Sequence, residues 1–258
     1  METKPTTQEL YDKLIFPAEE IFNYKGEAFS DKLNQDGVFK KDNKFFKALD
    51  STQVNKITNK FYNSKYIEES TGIWDINTGP SVTATNTHQL HKYDQGLFNP
   101  LLNFLQDQKT IVDFGCGNAD YARHLIEKGN KTVDCYDGNP NTPEMTGGLG
   151  KVLDLSKKFD LGKKYECVIS LEVGEHIPPK FEQIYIDNLD RHCSQCIILS
   201  WALPGQGGAG HVNERDNSYI KNEFQKRGYK SWDKAENLFR NAATFSWFKN
   251  TMMVFIKE

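Results

Sequence analysis

Ile111-Val112-Asp113-Phe114-Gly115-Cys116-Gly117-Asn118 is an apolar run that ends in a carboxylate and two closely spaced glycines, and a helical pattern starts directly behind it. A buried strand, a glycine turn and a helix in that order leave the first helical N–H groups unpaired and let a ligand come close to the backbone. The stretch therefore predicts a nucleoside-bearing ligand at a strand-to-helix turn. A dinucleotide fingerprint, G-x-G-x-x-G/A, would carry a third small residue and aim the helix N-terminus at a pyrophosphate. Asp120 stands there instead. A carboxylate at that point repels phosphate, which ranks a nicotinamide dinucleotide last, while Asp113 at the strand end suits a ligand that carries an ammonium and a sulfonium.

An acidic residue followed by x-Gly-x-Gly resembles the first motif of the class I S-adenosylmethionine-dependent methyltransferases, and the resemblance runs from about Tyr93 to Glu258. It implies an α/β fold with a Rossmann-like seven-stranded methyltransferase sheet, helices on both faces, and S-adenosyl-L-methionine as cofactor. Asp113, Gly115 and Gly117 would hold it. Lys131–Asp137 reads as a second strand whose last residue, Asp137, lies twenty positions past Gly117, where an acidic side chain reaches ribose hydroxyls. A plain turn carboxylate before Gly138-Asn139-Pro140 is the other reading. Lys151–Ser156 is a short strand in which Asp154 matches the position near the adenine amino group, with an N-cap as the alternative. Tyr93 against the methionine part, and Leu155 and Leu171 near strand ends, complete the expected cofactor contacts.

The rest of the pattern alternates strands with helices, which predicts a doubly wound sheet. Helices are expected over 97–105, over 119–128 with Gly129 as C-cap, over 180–191, over 213–227 and around 234–241. Strands are expected over 165–171 and 196–202, with 229–232 and 251–256 as an antiparallel closing pair. Residues 1–85 are rich in Lys, Asn and Asp and read as a mostly helical N-terminal cap. There Phe45, Phe46, Leu49, Ile57 and Phe61 recur at spacings that suit amphipathic helices. Gly72, Gly79 and Pro80 mark residues 71–81 as a linker, and residues 86–258 form the methyltransferase domain.

Composition narrows the class. At 258 residues with 38% hydrophobic and 12% aromatic content, the chain can bury a real core and has room for an accessory segment. No run of about eighteen apolar residues predicts a membrane span, and the start lacks a signal-peptide pattern, so the expected location is cytoplasmic. Residues 1–100 carry 12 lysines against 14 carboxylates and the remainder 20 basic against 21 acidic groups. Without a basic half, a nucleic-acid partner is disfavoured. Five cysteines, an odd number, read as free thiols. Cys193-Ser194-Gln195-Cys196 has redox-motif spacing but no second pair for a zinc site.

The chemistry is expected after the fourth strand, in Glu172-Val173-Gly174-Glu175-His176. On a helical turn, Glu172, Glu175 and His176 would project from one side at i, i+3 and i+4, as donors for a divalent metal. The E-x-x-E-H pattern is similar to that of metal-dependent O-methyltransferases, which include ubiquinone-biosynthesis enzymes and small-RNA 3′-terminal 2′-O-methyltransferases. His211, in the glycine-rich stretch 207–210 and onward, is the fourth candidate ligand or a general base. Carboxylates favour Mg²⁺ or Mn²⁺, and imidazoles lean toward transition ions. Acidic residues near a helix start are also favoured by the macrodipole with no metal at all.

These readings combine into an O-methyltransferase in which Glu172, His176 and His211 position and deprotonate a hydroxyl, the acceptor being a small molecule or glycan, preferably a sugar hydroxyl of a glycan or nucleotide-sugar. An RNA 3′ end, a catechol-like molecule, and a catalytically silent cofactor-binding module are the alternatives. His88 and His91 are substrate-side candidates, and Trp201 is either a stacking face for a sugar or a core side chain.

Overall fold

The computed structural model describes residues 38–41, 44–47, 67–68, 70–74, 92–208 and 210–258. The chain divides into two units, Met1–Phe61 and Tyr62–Glu258. In the first, β1 (Val38–Lys41) and β2 (Lys44–Lys47) pair antiparallel, with Phe39 opposite Phe46 and Lys41 opposite Lys44. Phe45 and Phe46 thus stand on a strand, not on the helix that their spacing suggested. Adjacent aromatics have strand propensity. That local chemistry outweighs a helical spacing spread over few apolar residues. Leu49, Ile57 and Phe61 lie outside the described residues, as do His88 and His91.

The second unit opens, among the described residues, with β3 (Ile67–Glu68) and β4 (Ile73–Trp74), again antiparallel. Thr71 N and Gly72 N both donate to the Glu68 carbonyl, at 3.1 and 2.7 Å, and Gly72 has φ +79°. The start of the expected linker is therefore a hairpin turn. Every regular element described within residues 1–85 is a strand, and the rest of the expected helical cap lies outside the described residues.

From residue 98 the elements alternate. They are α1 (Phe98–Phe104), β5 (Thr110–Phe114), α2 (Asp120–Gly129), β6 (Thr132–Asp137), α3 (Thr142–Met145), β7 (Gly150–Val152), β8 (Tyr165–Ser170), α4 (Glu182–His192), β9 (Cys193–Leu199), α5 (Asn217–Gln225), β10 (Tyr229–Ser231), α6 (Asp233–Ala242), α7 (Ser246–Thr251) and β11 (Met253–Lys257). One seven-stranded sheet runs in the order β10-β11-β9-β8-β5-β6-β7. Strands β5 to β9 are parallel, and β11 is antiparallel to both β9 and β10. The chain leaves β5 outward through β6 and β7, then returns to lay β8 on the other side of β5. That reversal is the switch point where the strand ends open a crevice for ligands.

Both faces are buried, as a parallel sheet with crossover helices requires. Ile111, Cys167, Ile169, Ile198 and Val254 pack with Leu101, Leu125 and Phe239 on one face. Their strand neighbours Val112, Val168, Ile197, Leu199 and Phe255 pack with Tyr185, Ile186, Ile220 and Phe224 on the other. The period of two thus sends alternate residues into two separate cores. The left-handed residue that ends α2 is Asn130, at φ 52°, not Gly129. Gly129 lies against α1, where a Cβ would stand 2.9 Å from Leu102 Cδ2 and the tip of that side chain would have to move. Among the described residues no helix is long and apolar enough to cross a membrane.

Asp94 joins the two ends of this unit. Fully buried, it accepts from Gly96 N and Thr244 Oγ1 on one oxygen, at 2.8 and 2.6 Å, and from Thr244 N and Phe245 N on the other, both at 2.7 Å. Burial alone would push its carboxyl up, but the bonds from Phe245, Thr244 and Gly96 outweigh that and hold it below the usual range. Replacing Asp94 by Ala orphans four donors and should lower the unfolding free energy by roughly 3 kcal/mol, read from the urea midpoint. In the native protein this carboxylate's contribution is present in full above its unfolded value of about 3.9. It is lost as pH falls through the lowered native value, so acid unfolding of Asp94→Ala should be less steep than that of the parent.

Candidate functional site

The glycine turn is tied to β6. Gly115 N and Cys116 N donate to the Tyr136 carbonyl, and the Asp137 carboxylate accepts from Gly117 N and Asn139 N, both at 2.9 Å. Gly115 and Gly117 have φ +83° and +51°, values that suit glycine. Gly115 is also needed for space: a Cβ there would lie 2.2 Å from Val173 Cγ2, so the close approach at this glycine comes from the loop after β8. Asp113 points its carboxyl into the interior with 4% exposure. Burial, and secondarily the charge of Asp137, push it up to about 7. No hydrogen-bond donor among the described residues offsets that burial.

The loop after β8 departs from the helical turn expected over 172–176. Glu172 has a left-handed backbone, φ 55°, rare for a non-glycine residue and typical of functional turns. Its N–H donates to Ser200 Oγ at 2.7 Å, which holds it there. Only Gly174–His176 forms a short 3₁₀ turn, so Glu172 does not share a helical face with Glu175 and His176. The donors that do converge are Glu175, His176 and His211, whose ligand atoms lie within 4.8 Å of one another. Three of the four expected metal ligands therefore meet, and Glu172 stands outside their cluster. Its carboxyl is held by longer bonds from Gln206 Nε2 and Thr251 Oγ1, both 3.4 Å.

Glu175 is fully buried and neither of its oxygens makes a well-formed hydrogen bond. Burial first, and then the Glu172 carboxyl, drive its pKa well up. Its own peptide carbonyl accepts from Val212 N and Asn213 N, at 2.9 and 3.0 Å, which staples the β8 loop to the loop after β9. The staple explains why two segments 35 residues apart present donors to one point. His176 Nδ1 bonds to the Gly210 carbonyl and His211 Nδ1 to Glu214 Oε1, each at 3.1 Å. Imidazoles fixed through one nitrogen by an acceptor are oriented to offer the other. Burial holds His211 below its ordinary pKa despite Glu214, so it is neutral at pH 7. The chemistry of this donor set, one orphaned buried carboxylate and two oriented imidazoles, fits a divalent cation.

Other expected residues have different surroundings. Leu155 and Leu171 belong to the cores on opposite faces. Tyr93 stacks on Phe98 with centroids 5.5 Å apart. Asp154 accepts from Ser156 N and Oγ and pairs with Lys157, the capping task weighed for it above. Trp201 is fully buried, donates from Nε1 to the Asn213 carbonyl at 2.6 Å, and has Gly174 flat on its ring, so it is a core side chain and offers no face to a sugar. Cys193 and Cys196 open β9, buried and unbridged.

Three residues escaped sequence reasoning. Glu214 accepts from Gly205 N and Gly207 N at 2.7 Å each as well as holding His211; its signal was an acidic residue three positions past a histidine behind a glycine run. Asn213 buries a carboxamide with neither atom partnered, an arrangement that calls for a ligand or water. Gly208 lies so close to His211 that a Cβ would stand 2.2 Å from Nε2.

No family model and no curated protein matches the sequence. Solved structures do match. CalS10, an amino pentose methyltransferase from Micromonospora echinaspora solved with S-adenosylmethionine bound, is 11% identical over 70% of this chain and 99% of that one, with a TM-score of 0.51. Magnesium protoporphyrin IX methyltransferase from Synechocystis PCC 6803, also with bound S-adenosylmethionine, is 17% identical over 79% of this chain and 97% of its own, at 0.49. The methyltransferase domain of bacterial CtHen1 is 17% identical over 63% and 97%, at 0.46. The likeness is one of fold, and with the strand order above it defines a Rossmann-like methyltransferase fold. Replacing Gly208 by Ala should turn the His211 ring off its bond to Glu214, visible as a shift of that ring's NMR signals while the thermal midpoint stays within a few degrees.

Proposed function

We propose that this chain is an S-adenosylmethionine-dependent O-methyltransferase acting on a hydroxyl of a polar, uncharged acceptor, a sugar within a glycan or nucleotide-sugar, with Mg²⁺ or Mn²⁺ as metal. The observation that carries the reading is the meeting of Glu175, His176 and His211 at the strand-end crevice that also holds the buried, unpartnered Asp113. The even charge distribution supports an uncharged acceptor over a nucleic acid.

In this reading Asp113 receives the cationic end of the cofactor, the glycine turn Gly115–Gly117 backs its nucleoside, and Asp137 takes the ribose hydroxyls with the lone pairs not used by Gly117 and Asn139. S-adenosylmethionine supplies the electrophilic methyl group, and a divalent cation held by Glu175, His176 and His211 lowers the cost of removing a hydroxyl proton. Glu172, beside Glu175 but outside the ligand cluster, accepts that proton. Glu214 keeps His211 in place, and the Asn213 carboxamide hydrogen-bonds the acceptor. Alignment of the hydroxyl with the methyl group in a dry crevice supplies the rest of the acceleration.

Two experiments test the reading. Calorimetry with S-adenosylhomocysteine should show affinity rising up to about tenfold per pH unit until about pH 7 and then levelling, because the ligand's ammonium needs Asp113 ionised and binding below that pH expels its proton. No binding at any pH overturns the cofactor. A radiolabelled methyl-transfer assay against glycans, nucleotide-sugars and an RNA oligonucleotide, with and without EDTA, addresses acceptor and metal. Activity should vanish with chelator, return with Mn²⁺ or Mg²⁺, and be absent in Glu175→Gln, whose thermal midpoint should equal or exceed the parent's because an unpaired buried carboxyl is gone. Unchanged rates in EDTA remove the metal, and labelling of the oligonucleotide alone removes the sugar.

A further inference from the structure

The hairpin β3–β4 rests on two loops that the sheet keeps apart. At its turn, Gly72 lies flat on the backbone of His176: a Cβ there would stand 1.9 Å from the His176 carbonyl oxygen and 3.3 Å from Pro178 Cδ. The next residue, Ile73, reaches the turn after β6, where a Cβ on Gly138 would stand 2.9 Å from Ile73 Cγ1. In sheet order β5 lies between β8 and β6, and strands repeat every 4.7–4.9 Å or so. Two consecutive residues in contact with the loops after β8 and β6 therefore cross the end of β5, above Asp113 and the glycine turn. Further out, the Glu68 carboxyl is close enough to Asp154 and Lys157, beyond β7, to feel their charges.

Gly138 directly follows Asp137, and it brings no side chain to the place beside the ribose-binding carboxylate. A nucleoside that runs from Asp137 toward β7 needs an apolar surface there for the flat face of its base. Ile73 is the aliphatic side chain that lies at that spot, half-buried. The same turn contains Asn139, fully buried, with Nδ2 lacking any partner, a donor of the kind that ring nitrogens of a base accept from. We propose that the β3–β4 hairpin is the roof of the nucleoside pocket, with Ile73 as the side chain that packs on the base and Gly72 as the contact that sets this roof on His176. The proposal rests on the cofactor reading given above and adds a binding residue from the segment that precedes the methyltransferase motifs.

The test separates the two. Calorimetric titrations of the full chain with S-adenosylhomocysteine and with 5′-methylthioadenosine, which keeps the nucleoside and lacks the amino-acid end, are compared for the parent, Ile73→Ala and Ile73→Leu. Loss of the aliphatic contact should weaken both ligands by the same factor, about tenfold, and Ile73→Leu should restore both. Mn²⁺ binding, followed by electron paramagnetic resonance, should not change in Ile73→Ala. Equal affinity of parent and Ile73→Ala for 5′-methylthioadenosine overturns the roof while leaving the cofactor reading intact. Failure of the parent itself to bind either ligand overturns the cofactor reading and the roof with it. Should Ile73→Ala fold poorly, hydrogen exchange on the parent decides: amides 71–73 gain protection with S-adenosylhomocysteine if the hairpin covers it and stay unchanged if it does not.

Discussion

Two carboxyl groups, Asp113 and Glu175, are buried at the same end of the sheet with burial outweighing whatever the protein offers to stabilise their charge. Removing a carboxylate from water without a partner costs several kcal/mol, so both are pushed toward their neutral forms. The contrast with Asp94 shows that the fold can satisfy a buried carboxylate when it needs one. Four donors converge on Asp94, and its pKa falls. At Asp113 and Glu175 no comparable set of donors forms, and the instability is placed at the switch point between β5 and β8, where a parallel sheet opens a crevice.

That placement explains several otherwise unrelated features. Glycine at 115 admits Val173, at 174 it admits the Trp201 ring, and at 208 it admits the His211 imidazole. Each lets a loop close on its neighbour without a side chain between them. The Glu175 carbonyl then ties the β8 loop to Val212 and Asn213, and Glu214 ties the glycine run to His211. Loops that would otherwise be mobile are held by backbone bonds, so the side chains stand in fixed positions ahead of any ligand.

The sheet was legible in the sequence because its strands are buried on both faces and appear as continuous apolar runs with glycine or aspartate at their ends. The places of Asp113, Gly115, Gly117 and Asp137 at strand ends and in the turn follow from that punctuation, whereas their ligand roles come from the family resemblance. The donor cluster was legible only in part. Spacing in the sequence assumed a regular helix from Glu172, yet the left-handed turn at Glu172 breaks the period and leaves that residue aside, whereas His211 joins through a staple made by main-chain atoms, to which side-chain patterns are blind. Trp201 was ambiguous because an indole beside a glycine run suits a sugar platform and a core equally, and only the approach of Gly174 decides. The β1–β2 pairing was missed since Phe45 and Phe46 fit a helical period by accident, while adjacent aromatics carried the stronger strand signal.

Charge also limits what the crevice can hold at once. Under the proposed function, a methyl donor with a sulfonium, an ammonium and its own carboxylate, together with a divalent cation, would bring a net three positive charges into one low-dielectric space, where like charges repel strongly. Asp113, Glu172, Glu175 and Asp137, with Glu214 behind His211, are carboxyls described around it, and their ionisation would offset that excess. Glu172 would share this role without a ligand contact: its charge presses Glu175 toward neutrality and would become favourable if a cation sat among the three donors. Under that proposal, a carboxylate just outside the ligand set adds to the charge balance. The left-handed strain at Glu172, held by Ser200, is the structural cost of keeping it there.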